Sequence, residues 1–218
     1  MHGEPRPTTA HQPYPVAAGM EAEDVKDELR RAIRHQREGR SHRLRDEAAV
    51  AFADVLATVP AVQDAAVVVA YAARPTEPGT GELLERLAGR GARVLLPVLG
   101  AGLARDWAEY AGPDDLRERA PGRPPEPGGP NLGADVIVEA DVVICPALAV
   151  DTSGARLGQG GGWYDRVLKQ VRPGVPSIAM VFPEELYDAA DRPLPYESHD
   201  VPVQAVATPA GWHALPVE

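Results

Sequence analysis

Apolar residues recur at helical spacing from Asp24 onward. Val25, Leu29, Ala32 and Ile33 fall on one face and predict a helix over 24–38. Gly39 is placed to end it. Ser41 is placed to cap a second helix, whose stripe of Leu44, Ala48, Phe52, Val55 and Val59 runs to Pro60. Beyond Pro60 the pattern changes to short, continuous apolar runs rich in β-branched residues: AAVVVAYA (65–72), RVLLPVL (93–99), DVVICPALA (141–149), PSIAMVF (176–182) and VPVQAVA (201–207). Each reads as a buried strand. TGELLERLAGRG between the first two reads as a capped helix, and YDRVLKQV, with Val167, Leu168 and Val171 on one side, as another. This alternation predicts an α/β fold with a mostly parallel sheet of five or six strands flanked by helices.

Two stretches interrupt the pattern. APGRPPEPGGPNLG (120–133) lacks the amide donors and backbone restraint for regular structure, so a long loop over one face is expected. Residues 1–23 carry prolines and small polar residues without the basic start and apolar core of a secretory signal; they are expected to form a disordered extension, leaving one domain over 24–218. A length of 218 residues suits a single well-filled domain.

Composition narrows the function classes. The chain is 44% hydrophobic and 25% charged, and no run approaches the roughly 18–20 apolar residues of a bilayer span, so no membrane association is expected. The net charge of -10 argues against nucleic acid as a partner, which a basic surface would favour. A single cysteine, Cys145 in VVICPAL, suits a buried structural thiol and a reducing cytoplasm.

The chemistry concentrates in RLGQGGGWYDR (156–166). A glycine cluster between a predicted strand and a predicted helix is either a tight structural turn or a cradle whose free amides, aided by the helix dipole, hold a phosphate. The segment is neither a Walker loop nor GxGxxG. On the first helix, Lys26, Arg30, Arg34 and Arg37 fall within about 80° of arc, as a solvated edge or as an anion-facing stripe. Asp165 would cap the helix after the loop or hold Mg²⁺ beside a phosphate. Trp163 and Tyr164 would join the core or line a flat aromatic ligand. Glu77 follows the first strand at its carboxyl end, where open α/β sheets bind ligands. His199 and Asp200 precede the last strand, and no spacing suggests a nucleophilic triad.

Four ordered blocks, KDELR (26–30), TEPGT (76–80), CPALAVDTSGARLGQGGGWYDRVL (145–168) and LPYESHDVPVQAVAT (194–208), resemble the 5-formyltetrahydrofolate cyclo-ligases, also called 5,10-methenyltetrahydrofolate synthetases. The resemblance implies a three-layer α/β domain of the kind shared with NagB- and CoA-transferase-like proteins. It also implies an ATP- and Mg²⁺-dependent ring closure of 5-formyltetrahydrofolate to 5,10-methenyltetrahydrofolate, with ADP and phosphate released. By resemblance, Lys26 and Arg30 are catalytic and bind ATP together with Arg156, Leu157, Gly158, Gln159, Gly160, Gly161, Gly162, Trp163 and Tyr164. Glu77, Trp163 and Tyr164 bind the folate, and Asp165 and Asp200 the magnesium. Gln159 and Gly161 stand where many members carry a basic or bulkier residue, Ala149-Val150 replaces the usual Ala-Phe, and Trp163 replaces a tyrosine or phenylalanine. A noncatalytic nucleotide- or folate-binding relative is the alternative expectation.

Overall fold

The computed structural model describes residues 7–13, 19–99 and 105–216. Helix α1 spans Ala22–Glu38, α2 His42–Leu56 and α3 Pro60–Gln63. The chain then enters a seven-stranded sheet. Strand β1 (Val67–Val69) has β2 (Arg93–Leu99) on one side and β4 (Val142–Pro146), β7 (Ser177–Met180) and β9 (Ala205–Thr208) in turn on the other, all parallel, so that β4 is the middle strand. The edges are antiparallel: β3 (Arg105–Glu109) pairs with β2, and β10 (Gly211–Ala214) with β9. A second sheet orders β6 (Arg156–Leu157), β5 (Ala149–Asp151) and β8 (Leu186–Tyr187). Helix α4 is Gly81–Gly89 and α5 is Trp163–Leu168.

The expected class is present, a mostly parallel sheet flanked by helices, but with seven strands in place of five or six. The two additional strands are edge strands. RDWAE and GWHA carry little continuous apolar sequence, because an edge strand buries few side chains: Trp107 is buried whereas Glu109 is exposed. The run 141–149 does not form one strand. After Pro146 the chain leaves the main sheet, and Leu148 and Ala149 pack instead under α1 with Val25, Leu29, Ile33 and Leu157. Apolar runs read the same whichever sheet they join.

Part of the N-terminal expectation is also revised. Residues 7–13 lie against β8: the Ala10 amide donates to the Leu186 carbonyl at 2.7 Å, and Gln12 is buried. The remaining positions of that expectation at 1–6 and 14–18 lie outside the described residues.

The main core gathers Phe52, Ala53 and Leu56 of α2 and Leu83, Leu84 and Leu87 of α4 against the central strands. Between α1 and the small sheet the contact is charged as well as apolar. Arg37, on the basic stripe of the first helix, is not a solvated edge but is 3% exposed. Its Nε and one terminal nitrogen donate to the two oxygens of Glu185, each at 2.7 Å, and that terminal nitrogen also reaches the Ala147 carbonyl at 2.8 Å. Burial pushes the Glu185 carboxyl up, an effect the Arg37 hydrogen bonds oppose. Removing one partner strands the other as a buried charge. Glu185→Ala is therefore expected to lower unfolding free energy by about 3–5 kcal/mol, read from urea denaturation.

Candidate functional site at the glycine loop

The β5–β6 turn is held by Asp151, which is fully buried. Its Oδ1 accepts from the Ser153 amide and hydroxyl and from the Ala155 amide, and its Oδ2 from the Leu194 amide. Leaving β6, the chain forms the loop 158–162 and enters α5. Gly160 (φ 103°) and Gly162 (φ 57°) adopt left-handed backbone, which L side chains rarely adopt. The glycines also let guanidinium groups lie against the backbone. A Cβ on Gly158 would stand 3.0 Å from an Arg156 nitrogen, one on Gly160 3.6 Å from Arg30, and one on Gly162 3.1 Å from Arg166. Gly161 meets neither demand: a Cβ there would face open space. Among the described residues, none of the amides at 158–162 donates a hydrogen bond within the protein.

The loop separates two cavities. The larger, of about 200 Å³, opens at the carboxyl ends of β1, β2 and β4 and is lined by Tyr71, Glu77, Pro97, Pro146, Trp163 and Tyr164, among others. Pro124 and Pro125 from the proline-rich loop border it, so that segment does cover one face of the fold. Trp163 packs edge-on against Trp107 (ring centroids 5.1 Å apart) and Tyr164 (4.9 Å), and its indole N–H has no hydrogen-bond partner among the described residues. Tyr164 is both cavity wall and core. Glu77 is 6% exposed and accepts from the Arg74 amide and guanidinium and, at 3.0 Å, from the Gln159 side-chain amide.

The smaller cavity, of about 70 Å³, is polar and is lined by the cations Lys26, Arg30 and Arg156, the acids Glu23, Asp165 and Asp200, and the loop glycines, among others. Lys26 Nζ donates to Glu197 at 2.6 Å and Asp200 at 2.7 Å. Burial alone would lower the Lys26 pKa, yet these two carboxylates outweigh it and hold the ammonium above its ordinary 10.5. Burial would raise Asp200, and the hydrogen bonds from Lys26 and the Glu197 amide bring it below 3.8 instead. Arg30 pairs with Glu23 and Asp27 and donates to the Gly158 carbonyl at 3.2 Å. Arg156 binds Asp165 at 2.8 Å and the Pro146 carbonyl, leaving its Nε without a partner among the described residues. Arg34 differs from these cations: its hydrogen bonds go to the Gln159 carbonyl and side-chain oxygen, both neutral.

The structure thus brings Lys26, Arg30, Arg156, the loop, Asp165 and Asp200 to one cavity, and Glu77, Trp163 and Tyr164 to its neighbour. Arg156, Gly158, Gly162 and Asp165 line both. Leu157 borders the smaller cavity while its side chain packs in the core under α1. Glu197 carried no assigned role in the sequence, although it lies in the quoted LPYESHD block; only the burial of Lys26 in the fold shows the counter-charge it supplies. Cys145 is fully buried and its thiol is pushed up to about 11, chiefly by burial, which rules out a thiolate nucleophile at neutral pH.

Residues 22–209 match the 5-formyltetrahydrofolate cyclo-ligase family. The chain belongs to that family. It is 45% identical over 147 residues to the 5-formyltetrahydrofolate cyclo-ligase of Mycolicibacterium smegmatis, covering 65% of this chain and 73% of that protein. It is 30% identical over 181 residues to that of Escherichia coli, covering 82% and 97%. The fold resembles 5,10-methenyltetrahydrofolate synthetase from Aquifex aeolicus (TM-score 0.73, 24% identity, 89% of this chain and 94% of that one) and the enzyme of the same name from Mycoplasma pneumoniae (0.63, 16%, 83% and 96%). As a cyclo-ligase family member the chain falls among ligases, as the four blocks implied, and its family match spans α1 through β9.

Two outcomes follow for this cyclo-ligase site. Gly160→Ala, forced into left-handed backbone, should cost about 1–2 kcal/mol, whereas Gly161→Ala should change stability by less than about 0.5 kcal/mol, both read from thermal melts. The raised Lys26 pKa means that its pairing stabilises the fold fully below pH 10.5 and is lost as pH rises through the folded value. The depressed Asp200 contributes above pH 3.8 and is lost as pH falls through its own folded value. Lys26→Met should therefore flatten the loss of stability above pH 10.5 relative to wild type, measured by urea midpoints at neutral and alkaline pH.

Proposed function

We propose that this cyclo-ligase closes 5-formyltetrahydrofolate to 5,10-methenyltetrahydrofolate at the expense of ATP, with the folate in the larger cavity and the transferring phosphate in the smaller one. The observation that carries the reading is the glycine loop itself. It forms the shared wall of a mostly apolar pocket and one lined by ion pairs, so a reacting group entering from each side meets the other there.

In this reading the reduced pterin lies along Trp163 and Tyr164, and the Glu77 carboxylate accepts from its ring N–H groups. The formyl oxygen on N5 attacks the γ-phosphorus, and ADP leaves. N10 then attacks the activated carbon and loses its proton, and the former formyl oxygen departs within phosphate. No protein nucleophile is required, which agrees with the neutral, buried Cys145. The chain supplies alignment and charge: Lys26, Arg30 and Arg156 offset charge on the phosphoryl oxygens, and the amides of 158–162, unused within the protein, donate to them.

No group of three or more His, Cys, Asp and Glu among the described residues forms a ready-made metal cage. Asp165 and Asp200 nevertheless suit Mg²⁺, which takes one or two carboxylates and completes its shell with phosphate oxygens and water. Each commits one oxygen to Arg156 or Lys26 and leaves the other without a close hydrogen bond. The bound ion would supply charge neutralisation on the phosphates. Before phosphate arrives, Lys26, Arg30 and Arg156 are each satisfied by carboxylates, so the polyanion has to take over partners already in place. That same saturation, with neutral Gln159 in the loop, is what favours a binding relative without catalysis as the second reading. The lone buried thiol supports placing the protein in a reducing cytoplasm.

Incubation with 5-formyltetrahydrofolate and MgATP is expected to build the methenyl absorbance with one ADP per ring closed. Lys26→Ala should lower kcat about 10²–10³-fold, the usual cost of losing one preorganised charge contact. ATP and folate binding by calorimetry without ADP release would instead support the noncatalytic relative.

A further inference from the structure

Arg30 and Arg34 hold the glycine loop from positions one turn apart on α1. Arg30 donates to the Gly158 carbonyl at 3.2 Å and Arg34 to the Gln159 carbonyl at 2.9 Å. They differ in their other partners. Arg30 pairs with Glu23 and Asp27, whereas Arg34, exposed and without an ion pair among the described residues, donates to the Gln159 side-chain oxygen at 3.1 and 3.3 Å. Of the basic stripe on α1, Lys26 and Arg30 line the smaller cavity and Arg37 is sealed in the fold, so Arg34 is the member that neither arrangement explains. Gln159 is the one side chain in a loop otherwise made of glycines, and it lines the larger cavity but not the smaller.

The Gln159 amide joins two groups of opposite demand. Its oxygen accepts from the Arg34 guanidinium, and its nitrogen donates to Glu77 Oε1 at 3.0 Å. Turned over, the amide would set its oxygen against the carboxylate and its NH2 against the guanidinium, so these two partners select one orientation. A lysine or arginine at this position would offer Arg34 no acceptor, and an ionised glutamate would offer Glu77 no donor. Glu77 is thereby committed unevenly. Its Oε1 accepts from the Arg74 Nε at 3.2 Å and a terminal nitrogen at 2.7 Å as well as from Gln159, while Oε2 accepts from the Arg74 amide alone, at 2.9 Å. Oε2 is the oxygen with acceptor capacity left for a donor in the larger cavity.

We propose that Arg34 and Gln159 are positioning residues for the pterin: Arg34 sets the Gln159 amide, Gln159 holds Glu77 by one oxygen, and the other oxygen is presented to the amino and ring N–H groups of the ligand. The inference rests on the reading of the larger cavity as the pterin pocket. Arg34 acts through two intervening side chains and contacts neither substrate. The neutral residue in the loop is then a specificity device, because it transmits the orientation imposed by a helix cation to the carboxylate that reads the pterin edge.

The test reads discrimination rather than affinity alone. Calorimetry would give dissociation constants for 5-formyltetrahydrofolate and for its analogue with methyl in place of the pterin 2-amino group, and their ratio measures what Glu77 reads. Loss of a donor to a carboxylate should make that ratio about tenfold or more in the wild type. Gln159→Met is expected to lower the ratio about fivefold and Arg34→Met about threefold, and the double variant no further than Gln159→Met alone, since Arg34 acts through the amide. Binding of a nonhydrolysable ATP analogue should change less than about twofold in each. Arg34 is exposed, so Arg34→Met retains the fold even where Gln159→Met does not, and thermal melts verify both. An unchanged ratio, with both folates weakened equally or not at all, would overturn the positioning role while leaving the pterin pocket standing. Additive losses in the double variant would overturn the link between the two residues, and losses confined to the ATP analogue would replace it with a phosphate contact. A wild type that does not distinguish the two folates, or binds neither, would sink the pterin reading itself and the inference with it.

Discussion

Helix α1 brings cations into the interior of an acidic protein, and the rest of the site depends on how they are compensated. Lys26, Arg30 and Arg37 are each less than 8% exposed, and each meets carboxylates: Glu197 and Asp200, Glu23 and Asp27, and Glu185. A buried cation left without a partner would cost several kcal/mol. The pairs therefore fix where the late LPYESHD segment and the small sheet can sit relative to the first helix. Through Arg30, which also holds the Gly158 carbonyl, they fix the glycine loop as well.

The same compensation gives the site its character. Under the proposed function, a polyanion entering this cavity would exchange for carboxylates that already hold each cation in place. The glycine loop divides this charged chamber from an apolar one walled by Trp163, Tyr164 and Pro97. Gln159 ties the two sides together, accepting from Arg34 and donating to Glu77, so the neutral residue in the loop links the helix cation to the cavity carboxylate. Arg34 is held below its ordinary pKa by burial and by Arg74 and Arg30, as expected of a cation whose hydrogen-bond partners are neutral.

Much of this was legible in the letters. The helical stripe of Val25, Leu29 and Ile33 located α1 to within two residues, and RVLLPVL matched β2 end to end. The strand–glycine–helix order marked the loop, since only a close approach or left-handed backbone justifies so many glycines in a row. Gly160 and Gly162 meet that demand while Gly161 does not, a distinction that composition cannot make. The edge strands β3 and β10, the break after Pro146 and the docking of residues 7–13 were not legible, because each is decided by a partner distant in sequence.

By itself the sequence determined the α/β class, the family and the residues gathered around the glycine loop, because periodicity and motif spacing are local properties of the chain. Tertiary structure alone decided which cations face the site and which carry the fold. Lys26 and Arg37 lie on one stripe of one helix, yet the first opens to the smaller cavity and the second is sealed against Glu185. Burial and counter-charge are properties of what packs against a residue, and that information lies more than a hundred positions away along the chain.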